Sequence, residues 1–291
     1  MKVALVHDFL AQNGGAEKVL EVLHEMFPEA PIYTLLYDKE KVPQFKDCDV
    51  RTSLLDKWPL AHKKYQWYLP WMPLATESYD LSEYDVVISS VSALAKGIIT
   101  KPETVHICYC HTPTRYLWSD THRYVDELKL PRFVKKFIPR LLSKIRVWDR
   151  LAADRVDYFI ANSETVKDRI KKYYGKDSTV IYPLVELSKF SVKDSNKKDY
   201  FLTGGRLVSY KRFDLTIRAF NRLGIPLKIF GTGPMLDELK AMSKPHIEFL
   251  GFVSDQEQLK LFQEAKAFIH QQVEDFGITA IEPMACGTTV I

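Results

Sequence analysis

The chain has 291 residues, 46% of them hydrophobic, and its 41 lysines and arginines against 37 aspartates and glutamates leave a formal charge of +4. That is apolar material for one large core or two medium ones, with two domains the expected organisation, and the charge is too mild to argue for a nucleic-acid or polyanion binder. No run of about 18 apolar residues is present and the N-terminus meets charge at Asp8, which argues against a membrane span and a secretory leader. The expected location is the cytoplasm, with Cys48, Cys108, Cys110 and Cys286 as thiols, since their spacing suits neither zinc nor a disulfide framework.

In chain order, "KVALVHD" reads as a buried strand and "AEKVLEVLHEMF" as the amphipathic helix after it. Further strands are expected at "PIYTLL", "YDVVISS", "TVHICYC", "VDYFIANS" and "STVIYP". Their apolar runs are continuous rather than alternating, so they should be covered on both faces, in a mainly parallel sheet. Residues 183 to 199 turn polar and lysine-rich, after which the rhythm restarts with strands "YFLTGG", "PLKIFG", "IEFLG" and "AFIHQ" separated by helical stretches. The predicted fold is α/β, with two Rossmann-like, doubly wound domains: 1–185, a linker at 186–199, and 200–291, the ligand lying in a cleft between the carboxyl ends of their strands. The final "GTTVI" reads as the start of another buried strand with little to pair with, so the second domain is expected to be truncated at its C-terminus.

Three turns after strands carry polar chemistry. In "HDFLAQNGGAEKV", Gly14 and Gly15 would let backbone N–H groups approach a phosphate at a helix N-terminus, although such a turn can equally be a plain helix cap. In "TGGRLVSYKRFD", Arg206 offers a bidentate fork and Lys211 a point charge to phosphate oxygens. In "VEDFGITAIEPMACG", Glu274 and Glu282 flank a Phe276-Gly277 turn with no histidine, serine or cysteine between them. Pro283 is cheap only in a helix's first turn, so the helix should begin near Thr279 or Ala280 and leave the amides of 277 to 280 free. The two carboxylates would then reach different parts of one extended ligand rather than share a proton; taken singly they could also be a surface glutamate and one answering the helix dipole.

Taken together, "NGGAEKVL", "YCHTPTRYLW", "IANSETVKDRI", "GGRLVSYKRFD", "FGTGP", "FLGFVSDQEQLKLFQEAKAFI" and "EDFGITAIE" resemble, in order, the motifs of the family-four retaining glycosyltransferases of GT-B fold. "CHTPTRYLW" with "RVWDRLAADRVD" is most similar to the bacterial mannosyltransferases of O-antigen and exopolysaccharide assembly. The resemblance implies that Glu282 accepts from the ribose hydroxyls of a nucleotide and Glu274 from hydroxyls of the donor sugar. It implies that Arg206 and Lys211 neutralise the diphosphate, with Gly15 closing over it. Amides around Phe276, Gly277, Ile278 and Thr279 would hold sugar hydroxyls and phosphate oxygens, and His111 would sit beside the anomeric carbon. The chain departs from the usual pattern at Pro283, where alanine is frequent, and at Thr289, where proline is common.

No metal and no cofactor is expected beyond the nucleotide-sugar substrate, with GDP-mannose favoured; "DCD" at Asp47 to Asp49 reads as a solvated turn. The implied acceptor is a saccharide or a polyprenyl-linked sugar. Two basic and aromatic stretches, "LPRFVKKFIPRLLSKIRVWDR" and "KWPLAHKKYQWYLPWMPLA", suit peripheral contact with an anionic membrane, here the cytoplasmic face of the inner membrane, as well as they suit domain packing. The rival functions are a non-catalytic nucleotide-sugar-binding or scaffold protein and a dinucleotide-dependent oxidoreductase. The latter is disfavoured because neither domain carries GxGxxG with an acid about 20 residues on.

Overall fold

The computed structural model describes residues 1–128, 130–192, 197–272 and 274–291. The chain divides into two compact units, Met1–Leu184 and Val185–Ile291. The strands of the first are β1 (Val3–His7), β2 (Ile32–Thr34), β3 (Val50–Thr52), β4 (Val86–Val91), β5 (Val105–Cys110), β6 (Tyr158–Ala161) and β7 (Ser178–Val180). Its helices are α1 (Gly15–Met26), α2 (Ala61–Lys64), α3 (Met72–Glu77), α4 (Thr121–Glu127), α5 (Arg132–Lys135), α6 (Ile138–Ala152) and α7 (Glu164–Tyr174). Its sheet runs in the order β3-β2-β1-β4-β5-β6-β7 with every pairing parallel.

Successive side chains of a strand point to opposite faces, so a continuous apolar run must be covered twice. Ala4, Val6, Val87, Cys108 and Phe159 enter one core cluster, while Leu5, Ile32 and Ile88 enter another on the opposite side of the sheet. A third cluster gathers Leu35, Leu55, Leu69, Met72, Leu142 and Ile145. Thus α6 spends its apolar stripe on packing, with Leu142, Ile145 and Ala152 buried, while Phe133 and Phe137 before it are each 69% exposed.

The second unit holds β8 (Phe201–Gly204), β9 (Leu227–Phe230), β10 (Ile247–Gly251), β11 (Ala267–Phe268) and β12 (Thr289–Val290), with α8 (Phe213–Leu223), α9 (Leu236–Ala241), α10 (Asp255–Glu264) and α11 (Ile278–Ala285). The sheet order is β10-β9-β8-β11-β12, again all parallel. The terminal segment is therefore not left without a partner as its sequence suggested. Thr289 and Val290 align with Ala267 and Phe268 of β11, and α11 supplies the crossover between them. Of the residues read as a linker, Leu187–Lys189 form a short 3-10 turn and 193–196 lie outside the described residues.

In each sheet the direction of winding reverses once, between β1 and β4 and between β8 and β11. Loops leaving the carboxyl ends of two such strands diverge to opposite faces and open a crevice in which ligands of doubly wound sheets are held.

Candidate functional site

Unit 2 places its predicted residues at that reversal. The loop after β8 carries Gly205, Arg206 and Lys211, and the segment after β11 carries His270, Gln271 and Glu274. The two are tied together: Gln271 Nε2 donates to the Lys211 carbonyl at 3.0 Å, and Thr203 Oγ1, at the end of β8, donates to the Ile269 carbonyl at 2.9 Å. Lys211 Nζ lies 3.3 Å from Glu274 Oε1, the two side chains 13% and 22% exposed. Arg206 is exposed on the same loop.

The approach of backbone to backbone here depends on glycine. Gly205 has φ +123° and Gly231, in "FGTGP", has φ +109°; a Cβ on Gly231 would lie 1.9 Å from the Gly205 carbonyl oxygen. Leu207 N donates to the Thr232 carbonyl at 2.9 Å and Met235 N to the Leu207 carbonyl at 3.1 Å, which stitches the loop after β8 to the loop after β9. No side chain fits such a contact, so the glycines fix the Lys211 loop as a rigid backbone platform.

α11 begins at Ile278, one to two residues earlier than the proline argument placed it, because Gly277 at φ +87° makes the sharp entry. Pro283 consequently lies in the second turn, and its missing N–H leaves the Thr279 carbonyl without the usual i+4 donor. Of the four amides expected to be free, that of Ala280 is taken by the Gly277 carbonyl at 2.9 Å. Phe276, Gly277, Ile278 and Thr279 form the turn and first residues of the helix, next to Glu274, whose Cβ is 3.6 Å from where a Gly277 Cβ would stand. Glu282 is 8% exposed, and its Oε2 accepts from Gln258 Nε2 of α10 at 3.2 Å. The two carboxylates thus have separate partners, Lys211 for Glu274 and Gln258 for Glu282.

His270 went unnoticed in the sequence. Its Nε2 lies 3.7 Å from the position of a Gly277 Cβ, and burial, then the Lys211 ammonium, hold its pKa below the ordinary histidine range against the opposing pull of Glu274. A histidine one residue past a buried strand's apolar run was the available signal.

In unit 1, Gly14 and Gly15 stand at the N-terminus of α1 and His111 directly after β5, on the carboxyl side of the sheet. His111 is 9% exposed, its Nε2 is 2.8 Å from Ser90 Oγ, and burial, with a smaller push from His7, lowers its pKa to about 3. It is a neutral imidazole at physiological pH. Two buried networks that the sequence did not disclose shape the surrounding loops. Asp8 accepts from the backbone N–H groups of Ser92, Ala93, Leu94 and Ala95 at 2.6, 2.8, 2.7 and 2.7 Å. Lys96, fully buried, pairs with Asp149 of α6, which also accepts from Thr114 Oγ1 at 3.1 Å, Trp118 Nε1 at 2.8 Å and Tyr174 OH at 3.0 Å. Asp49 of the "DCD" triplet is engaged by Arg51 at 2.8 Å.

Among the described residues no helix is long and apolar enough to cross a membrane. Residues 13–189 match the family described as Glycosyltransferase Family 4, and residues 185–291 match Glycosyl transferases group 1. The chain is 27% identical over 177 residues to the O-antigen chain mannosyltransferase C of Escherichia coli, a match covering 54% of this chain and 45% of the relative. It is 31% identical over 173 residues to the O-antigen chain mannosyltransferase RfbU of Salmonella typhimurium, covering 55% of this chain and 46% of the relative. The matched segments thus span about half the length of these relatives. In fold the chain is similar to Anabaena Alr3699/HepE, whose structure was solved with UDP, at a TM-score of 0.67 and 18% identity over 100% of this chain and 80% of that one.

Proposed function

The chain belongs to Glycosyltransferase Family 4, of GT-B fold, and on that premise we propose that it moves a sugar, mannose from GDP-mannose, onto a saccharide or lipid-linked hydroxyl with retention of anomeric configuration. The observation that carries this reading is the Lys211–Glu274 pair, 3.3 Å apart at the strand reversal of unit 2 on a glycine platform beside the start of α11. A sugar diphosphate presents hydroxyls next to phosphate oxygens, and this pair offers an acceptor and a cation at the same spacing. Glu282, held by Gln258, is then left for the ribose.

Breaking the bond between the anomeric carbon and the phosphate oxygen puts positive charge on the sugar and negative charge on the diphosphate. Lys211, Arg206 and the first amides of α11 lie where the negative charge grows, so they stabilise the transition state more than the ground state, by roughly 2–4 kcal/mol for each donor fixed in place. The acceptor oxygen attacks from the face the diphosphate leaves. Its proton passes to the departing phosphate oxygen, so the reaction needs neither a nucleophilic side chain nor a carboxylate base, and these cations stand where other transferases use a metal ion. The family resemblance assigns Gly14 and Gly15 to the phosphates and His111 to the sugar.

Mannose is favoured by the O-antigen mannosyltransferase relatives. A lipid-linked acceptor at the cytoplasmic face of a membrane is favoured by the exposed Phe133 and Phe137 alongside exposed Arg132, Lys136 and Arg140. Titration calorimetry with GDP, UDP, NAD and their sugar derivatives tests the donor, and product formation from labelled GDP-mannose with extracted lipid acceptor tests the transfer. The reading expects GDP and GDP-mannose to bind and label to reach lipid. NAD binding without either nucleotide diphosphate would overturn it, and GDP-mannose binding without transfer would favour a non-catalytic sugar-nucleotide binder.

A further inference from the structure

His111 is the end of a buried chain of polar groups that crosses three neighbouring strands of unit 1. Glu17, in the first turn of α1, places Oε1 3.7 Å from His7 Nε2, within ion-pair range. His7, the last residue of β1, places Nδ1 3.2 Å from Ser90 Oγ on β4, and Ser90 Oγ is 2.8 Å from His111 Nε2. Ser90 is 0% exposed, His7 and Glu17 3% each. Among the described residues the last hydrogen bond of the chain is the one between Ser90 Oγ and His111 Nε2.

The direction of the hydrogen bonds follows from donor and acceptor capacity. A carboxylate only accepts, so the His7 tautomer favoured with Glu17 Oε1 3.7 Å away is the one that carries its proton on Nε2. With its proton on that nitrogen, His7 presents a bare Nδ1 that accepts the Ser90 hydroxyl proton. The Ser90 oxygen accepts in turn from His111 Nε2–H, and His111 is left with an unprotonated Nδ1. We propose that Glu17, His7 and Ser90 are positioning residues that set the tautomer of His111, so that it meets its substrate as an acceptor at Nδ1 and takes a hydrogen bond from a hydroxyl of the transferred sugar.

The tautomer is inferred from where Glu17, His7 and Ser90 stand, while its partnership with a sugar hydroxyl rests on the glycosyltransferase reading. A neutral acceptor suits that task. An imidazolium would donate from both nitrogens and add positive charge beside a sugar that is itself becoming cationic. A neutral Nδ1–H tautomer would compete with the sugar's own hydroxyl protons. Burial favours the neutral ring, as the depressed pKa of His111 reflects.

The test uses the full chain with ¹⁵N-labelled histidine at pH 7.5, reading each ring nitrogen through its two-bond couplings. His106, whose Nε2 faces the separate Ser89 hydroxyl at 2.8 Å, serves as the internal control. The expected spectrum has His111 Nε2 protonated and Nδ1 bare. Ser90→Ala should yield a mixture of His111 tautomers with His106 unchanged, and so should Glu17→Gln, since a carboxamide donates as well as accepts. In turnover, both variants should lose about tenfold in kcat, the rate equivalent of one hydrogen bond, with donor Kd held within about twofold. A His111 protonated at Nδ1 in the unsubstituted chain, or a single unshifted tautomer in both variants, would overturn the relay. Absence of turnover by the unsubstituted chain with every nucleotide sugar would instead overturn the functional reading and leave the tautomer result standing. An intact relay with undiminished kcat in both variants would remove the sugar contact alone.

Discussion

The two units build the carboxyl ends of their sheet reversals with different chemistry. Unit 1 uses buried side chains: Asp8 holds four loop amides, Lys96 and Asp149 lie fully inside, and His7, Ser90 and His111 are strung through the strands. Unit 2 uses naked backbone, with Gly205 and Gly231 in contact and the charged pair Lys211–Glu274 left at the rim. The difference separates charge that serves the fold from charge that stays within a ligand's reach. Charges sealed inside cannot reach a ligand, and charges kept at a rim cannot contribute much to the fold.

The largest expected effect breaks unit 1. Asp149→Ala strands Lys96 as an unpaired buried cation and should cost roughly 3–5 kcal/mol in urea unfolding, whereas the double change Lys96→Met with Asp149→Leu should recover much of it. All five tryptophans, Trp58, Trp67, Trp71, Trp118 and Trp148, belong to unit 1, so tryptophan fluorescence follows that unit's transition. The corresponding change in unit 2 should do the reverse. Lys211→Met should alter unfolding by no more than about 1 kcal/mol. Yet it should lower kcat by about 10²–10³, the usual loss when one fixed donor to a developing anion is removed. Equal stability losses in the two units would erase the distinction.

Acid should separate the units a second way. The pKa values of His106 and His111 are pushed down by burial to about 4 and about 3, against the ordinary 6.5. The unfolded chain therefore binds more protons than the folded one between these limits. The stability these neutral rings contribute is whole above pH 6.5 and drains as pH falls toward the folded values, by about 2 kcal/mol per ring at pH 5. Unit 1 holds both rings, so its tryptophan-monitored unfolding free energy in urea should fall by about 4 kcal/mol between pH 7.5 and pH 5. In unit 2, His270 shifts in the same direction but is only part-buried, so amide exchange there should change less.

What the sequence disclosed and what it hid divide along the same physical line. Runs such as "KVALVHD" and "YFLTGG" announce themselves, because a strand buried on both faces has no polar alternation to obscure it. Glu274, Glu282 and Lys211 were legible because short segments deliver them after predicted strands. The relay and the Asp8 network were not, because they join residues far apart in sequence, with Asp8 reaching the amides of residues 92 to 95 and His7 reaching Ser90. Strand pairing is hidden for the same reason, which is why the partner of β12 could not be foreseen. The start of α11 was misjudged because the proline rule weighs one lost donor, and a glycine entry at φ +87° together with the packing of Glu282 outweighs it.

The smallest expected effect tests whether unit 2's rim leans on ordinary helix capping. Ser254 accepts from Glu257 N at 3.3 Å while Glu257 Oε2 accepts from Ser254 N at 2.9 Å, a reciprocal cap that opens α10. One residue further on, Gln258 holds Glu282 at 3.2 Å. Ser254→Ala should therefore cost about 1 kcal/mol in unit 2 stability, the usual loss for an N-cap hydroxyl. It should also loosen the Gln258 tether, so donor affinity should fall slightly alongside stability. Gln258→Ala removes the tether and leaves the cap, so it should alter affinity with little change in unfolding. If Ser254→Ala and Gln258→Ala weakened donor binding not at all, Glu282 would hold its place without α10, and the rim of unit 2 would be as self-sufficient as its glycine platform.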